Sequence, residues 1–76
     1  MTRPFVSADD VALGKAIRAR RLKIAMPMRE VAAAVGVSQQ QIAKYEGGIN
    51  RVPATRMPKI ACALGCSVAD LMEIER

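Results

Sequence analysis

The 76-residue sequence has no histidine, only two cysteines and only two aromatic residues, Phe5 and Tyr45. Each scarcity excludes something. Without histidine, Cys62 and Cys66 at a spacing of four supply neither the ligand types nor the spacing of a zinc site, so they read as small reduced residues at a helix end. No metal and no small-molecule cofactor is expected. With so few aromatics there is no platform on which single-stranded RNA bases could stack. Paired carboxylates in a pocket and a glycine-rich phosphate loop are both missing, and the chain is too short for a deep cleft, so an enzyme is not expected. No apolar run reaches membrane-span length, and Met1 to Ala8 lacks the apolar centre of a signal peptide. A cytoplasmic protein is expected. No stretch alternates with period two for more than a few residues and no internal repeat is visible, which leaves an all-α fold.

What the chain does have is apolar content and positive charge. At 51% apolar it forms one domain, but a core of this size is marginal, since a domain of about 60 residues buries only about 60% of its unfolded surface. Association would help it. The net charge is +5, with a pI near 9.9, and the excess is local. Between Val11 and Arg29 lie six cations, Lys15, Arg18, Arg20, Arg21, Lys23 and Arg29, and no acid. A basic helix taken alone reads as a solvated face; beside a nucleic-acid-binding motif it reads as a surface for a polyanion.

Such a motif lies between Pro27 and Gly48, in the run PMREVAAAVGVSQQQIAKYEGG. Val31, Ala32 and Val35 recur at helical spacing, Gly36-Val37-Ser38 interrupts, and Ile42 and Tyr45 continue the apolar face on a new axis. Ala32 is small enough for two helix axes to approach closely. Gly36 supplies the positive φ that ends the first helix. Ser38, with Gln41 three residues on, forms a capping-box pattern that opens the second helix, whose first core residue is Ile42. This is a helix-turn-helix.

Around it the sequence predicts three more helices, five short ones in all. Met1 to Ser7 form an N-terminal arm, and residues 8–76 form the domain. Ser7 and Asp10 make another capping box, with Val6 and Val11 as its hydrophobic staple, so helix 1 begins near Ala8 and buries Leu13, Ile17 and Ile24, with Arg21 on the same side. Helix 2 runs from Pro27 or Met28 to Val35 and helix 3 from Gln39 to Glu46, ended by Gly47-Gly48. Pro58 fits the first turn of helix 4, Arg56 to Leu64, with Ile60, Ala61 and Leu64 inward and Gly65 closing it. Ser67 and Asp70 cap helix 5, with Val68, Leu71 and Met72 apolar.

The run VAAAVGVSQQQIAKYEGG, preceded by LGKAIRARR and followed by IACALGCSVADLM, resembles the DNA-binding domain of the phage lambdoid repressors and Cro, the XRE-like family, over residues 12–73. The resemblance implies a lambda-repressor-like fold and an ion pair between Arg21 and Glu46. It also implies that the start of helix 3 enters the major groove while helix 2 crosses the backbone. Gln39, Gln40 and Lys44, with Gln41 at the margin, are then the base-contacting residues, glutamine suiting adenine and lysine guanine. Phosphates would be held by Ser38, Arg29, Lys44, Asn50 and Arg51, by the Met28 backbone N–H at a helix start, and by Arg21 from its pair. The chain departs from the pattern in three places. Pro27-Met28 replaces a common Thr-Gln pair, Ile49 takes a place often held by a cation, and the loop before helix 4 is one residue longer.

The expected function is a sequence-specific transcriptional regulator that binds double-stranded DNA at a palindromic operator as a homodimer. One recognition helix covers only a few base pairs, and two-fold dimers read half-sites about 34 Å apart. Ile49, Val52, Val68, Met72 and Ile74 are the dimer candidates, although Val68 and Met72 could equally finish the core. The alternative is a protein-interaction module, antitoxin-like or anti-regulator-like, on which helix-turn-helix packing is only a scaffold.

Overall fold

A computed structural model describes residues 7–72. Five helices follow one another: α1 (Ala8–Lys23), α2 (Met28–Val35), α3 (Gln39–Glu46), α4 (Met57–Leu64) and α5 (Val68–Met72). Among the described residues there is no strand. The all-α class and the helix-turn-helix at α2 and α3 stand as the sequence predicts, while Val6, Ile74 and most of the arm lie outside the described residues.

Local chemistry sets the boundaries. The Ser7 hydroxyl accepts from the Asp10 N–H at 3.2 Å, and the Asp10 carboxylate accepts from the Ser7 N–H at 2.8 Å, so two orphan donors at the start of α1 are satisfied reciprocally. Ser67 and Asp70 repeat the exchange at α5, at 3.0 and 3.1 Å. At α3 only half of the predicted box forms among the described bonds: Ser38 Oγ accepts from the Gln41 N–H at 3.0 Å. Arg56 is the residue before α4 rather than its first member, which puts Pro58 at the second helical position.

Helices α1, α2, α3 and α4 end alike, each closed by one left-handed residue: Ala25, Gly36, Gly48 and Gly65. Gly36 has φ 87°, and the Val37 N–H closes back onto the Ala32 carbonyl at 3.0 Å, which turns the chain from α2 into α3. At α1 the left-handed residue is Ala25, φ 55°, with the Met26 N–H bonded to the Arg21 carbonyl at 3.0 Å. An alanine in this region costs roughly 1 kcal/mol, so something must hold it there. The turn also corrects the reading of Ile24. It is the C-cap of α1 and 37% exposed, not part of the apolar stripe.

Helix α2 packs on α3 and α4, and α1 packs on α3 and α5. Ile17, Val31, Ile42, Ile60 and Leu64 are fully buried at the centre, joined by Tyr45 and Leu71. Gly14 makes the contact of α1 with α3 possible. A Cβ there would collide with the Tyr45 carbonyl oxygen and lie 2.9 Å from that of Glu46, so the two backbones touch with no side chain between them. The sequence reading did not single out this glycine. A helix-interior glycine is its only local sign.

Two expectations follow. Gly14→Ala gains about 1 kcal/mol of helix propensity, but forces α1 off α3, and overpacking of that kind costs roughly 1–3 kcal/mol; urea unfolding should show net destabilisation. The second concerns acid. The Asp10 carboxyl is held below the usual carboxylate range, first by the Ser7 backbone N–H and then by the Ser7 hydroxyl and Arg51, against desolvation acting the other way. A depressed folded-state pKa stabilises above the unfolded value and is lost as pH falls through the folded one. The stability advantage of the parent over Asp10→Asn should therefore be full above about pH 4 and shrink at lower pH, when both are unfolded in urea across that range.

Candidate nucleic-acid interface

The eight residues of α3 divide cleanly between inside and outside. Ile42, Tyr45 and Glu46 are buried, whereas Gln39, Gln40 and Lys44 are exposed and Gln41 is half-buried. With the capping role going to the Ser38 hydroxyl, no described bond ties up the side-chain amide of Gln41. The four predicted base-contacting residues thus occupy the two outward turns of one helix.

The inward face is locked. Arg21 Nε and Nη2 donate to the Glu46 carboxylate oxygens at 2.7 and 3.0 Å, and Arg21 Nη1 donates to the Met26 carbonyl at 3.2 Å. The side chains are 10% and 3% exposed, and the pairing raises the arginine pKa, the Glu46 hydrogen bond outweighing desolvation, so the guanidinium stays charged. All three nitrogens point inward. Arg21 is therefore built into the fold through the pair from which its phosphate contact was expected. Its bond to Met26 also holds the turn that contains left-handed Ala25.

A second arginine of the basic block turns out to be structural, and the sequence reading missed it. Arg20 Nε and Nη2 donate to the carbonyls of Leu64 and Gly65 at 3.0 and 3.1 Å, satisfying the end of α4. Its partners lie 44 and 45 residues away, so no local pattern announces them. Arg56 Nη1 donates to the Tyr45 hydroxyl at 2.9 Å and ties the inner face of α3 to the start of α4, also unread. Lys15, Arg18, Lys23 and Arg29 remain exposed.

The other predicted phosphate ligands flank α3. Pro27 gives α2 no side-chain cap, so the Met28 and Arg29 N–H groups at its first turn keep the partial positive charge of a helix start. Ser38 and Arg51 are exposed, and Asn50 is half-buried. Arg51 Nε also donates to Asp10 Oδ2 at 3.3 Å. Of the dimer candidates, Ile49 and Met72 are 44% and 52% exposed and Val68 is half-buried. Val52 is 7% exposed inside the core, so it is corrected to a core residue: the loop after α3 folds it inward. A mainly apolar groove of about 490 Å³ runs between α1, this loop, α4 and α5, lined by Leu13, Pro53, Met57, Val68 and Met72 together with the charged pair Asp10 and Arg51.

A short helix with a polar outward face, held by a second helix across a glycine turn and backed by a buried ion pair, defines the helix-turn-helix regulator scaffold. The chain belongs to the XRE-type helix-turn-helix family, whose model matches residues 17–71. It is 38% identical over 64 residues to an uncharacterized HTH-type transcriptional regulator of Sinorhizobium medicae, covering 84% of this chain and 46% of that one. It is 41% identical over 59 residues to an uncharacterized transcriptional regulator in the ATPase CF(0) region of Rhodospirillum rubrum, covering 78% and 55%. The chain spans about half the length of the curated relatives it matches. The crystal structure of the clp gene regulator ClgR from Corynebacterium glutamicum superposes with a TM-score of 0.84 at 33% identity, covering 88% of this chain and 87% of that one. The restriction-modification controller protein C.AhdI from Aeromonas hydrophila gives a TM-score of 0.80 at 25% identity, covering 86% and 98%. A likeness to apo-HppE at 24% identity, spanning 35% of that chain, shows the fold alone.

Removing either member of the buried pair leaves a charge without its partner, which costs about 3–5 kcal/mol. Arg21→Ala and Glu46→Ala should each bring the domain close to unfolding at 37 °C by thermal denaturation. The double variant should cost clearly less than the sum of the two, as expected of directly contacting residues.

Proposed function

We propose that the chain is a cytoplasmic transcriptional regulator that binds double-stranded DNA as a homodimer and reads a palindromic operator through the major groove. The observation that carries this reading is the partition of α3. Its inner residues are fully engaged by the fold, while Gln39, Gln40 and Lys44 face outward from the same two turns. Glutamine offers an acceptor and donor pair that suits adenine N6 and N7, and lysine donates to guanine O6 and N7. Gln41 lies at the margin of this face.

Phosphates on either side are held by Arg29 and the Met28 N–H at the start of α2, by Ser38, and by Asn50 and Arg51 after α3. These contacts set the register and carry no sequence information. The two-fold partner packs on the exposed apolar side chains of Met72 and Ile49, with half-buried Val68 beside Met72. Two recognition helices then meet successive major-groove faces about 34 Å apart.

Selection of duplexes from a random pool should enrich a two-fold symmetric site. On that site Gln40→Ala should relax one base position per half-site by about 1–3 kcal/mol. Arg29→Ala should weaken all sequences alike and lower the slope of log K against log salt by about one per subunit. A pool that yields no enriched sequence, with both variants binding like the parent, would falsify the reading.

A further inference from the structure

The Asp10–Arg51 pair joins two elements 41 residues apart, and its two halves are unequal. Asp10 is fixed. Its Oδ2 accepts from the Ser7 N–H at 2.8 Å and the Ser7 hydroxyl at 3.0 Å, and its side chain is 15% exposed. Arg51 is 59% exposed and reaches the carboxylate through Nε at 3.3 Å, at the long end of such bonds. A carboxylate held by its helix cap therefore sits beside a largely solvent-exposed guanidinium. Neither charge is required by the core, and an exposed pair of this kind contributes little to stability.

We propose that Asp10 is a positioning residue for DNA binding, a fixed counter-charge that holds the Arg51 guanidinium and lowers its attraction for phosphate. The inference rests on the phosphate role proposed above for Arg51. When duplex approaches, the guanidinium exchanges one carboxylate for one phosphate oxygen, so part of the gain on binding is offset by the contact given up. Because phosphate contacts are blind to sequence, the brake acts equally on operator and random DNA. Its effect is to keep the affinity for bulk DNA low while base contacts on α3 are left intact. The capping box that starts α1 thus has a second task, since the same oxygen that closes the helix end restrains the arginine.

The test separates charge from capping. Asp10→Asn removes the charge and keeps an acceptor for the Ser7 N–H. Asp10→Gln is a second neutral variant with a side chain suited to this cap, and Asp10→Glu keeps both charge and cap. With folding confirmed by thermal denaturation, filter binding at two salt concentrations should show both neutral variants binding operator and random duplex roughly two- to five-fold more tightly at low salt, the range an exposed pair commands. Their salt slope should be steeper by up to about one per subunit. Asp10→Glu should bind like the parent, and in an Arg51→Ala background the effect of Asp10→Asn should vanish. If Arg51→Ala weakens DNA binding but neither neutral variant tightens it, the counter-charge inference is overturned and the phosphate role of Arg51 stands. If Arg51→Ala changes neither affinity nor salt slope, the phosphate role fails and takes this inference with it.

Discussion

The buried pair of Arg21 and Glu46 is the constraint on which the rest of the molecule depends. A domain this small has few apolar layers to spare, yet it commits two charges to its interior. Such a pair adds little net stability over an apolar substitute, and its worth lies in being unforgiving about geometry. Arg21 addresses three places at once: the end of α1, which it belongs to; the end of α3, through Glu46; and the turn into α2, through the Met26 carbonyl. The left-handed alanine in that turn is tolerated because both the backbone carbonyl and the side chain of Arg21 bind Met26. One side chain thus fixes how α1, α2 and α3 meet.

Around that anchor the positive charge is sorted by use. The basic block of α1 looks uniform in the sequence, but the fold divides it. Arg21 is neutralised inside, and Arg20 closes the far end of α4. Among the described residues, the charge left for a polyanion is that of Lys15, Arg18, Lys23, Arg29 and Lys59, together with Lys44 on α3 and Arg51 after it. Net charge therefore overstates the surface that can attract DNA, and location matters more than sum. The acidic residues are sorted likewise, with Glu46 buried and Asp10 and Asp70 closing helix starts.

The order of the helices and most of their limits were legible because they are written in short-range signals: Ser-x-x-Asp boxes, a glycine after α2, α3 and α4, a proline in a first turn. These operate within a few residues, so the sequence carries them whole. The Arg21–Glu46 contact entered through resemblance to a family, not from any pattern in the residues themselves. What was not legible depends on distance in the chain. Gly14 matters only because Tyr45 lies opposite, Arg20 only because α4 ends beside it, and Val52 turns inward only because the loop after α3 packs back on the core. Ile24 was misread for a related reason. Its spacing fits the apolar stripe, but the helix ends at Lys23 and its side chain leaves with the turn. The outward face of α3 was readable as a face, since the residues that are buried there already had helical period.

The touching backbones of α1 and α3 carry a consequence for how such a protein diversifies. Where helices meet through side chains, a change in one can tilt the other, and a binding surface can drift by small rotations. Here Gly14 sets the carbonyls of α3 against the main chain of α1, and main chain does not mutate. The pose of α3 is inherited intact, whatever residues stand at positions 39, 40 and 44. If those outward side chains read bases as proposed, new target preferences arise by exchanging them one at a time, on a mount that does not answer to them. Preference can then be rewritten without renegotiating the fold.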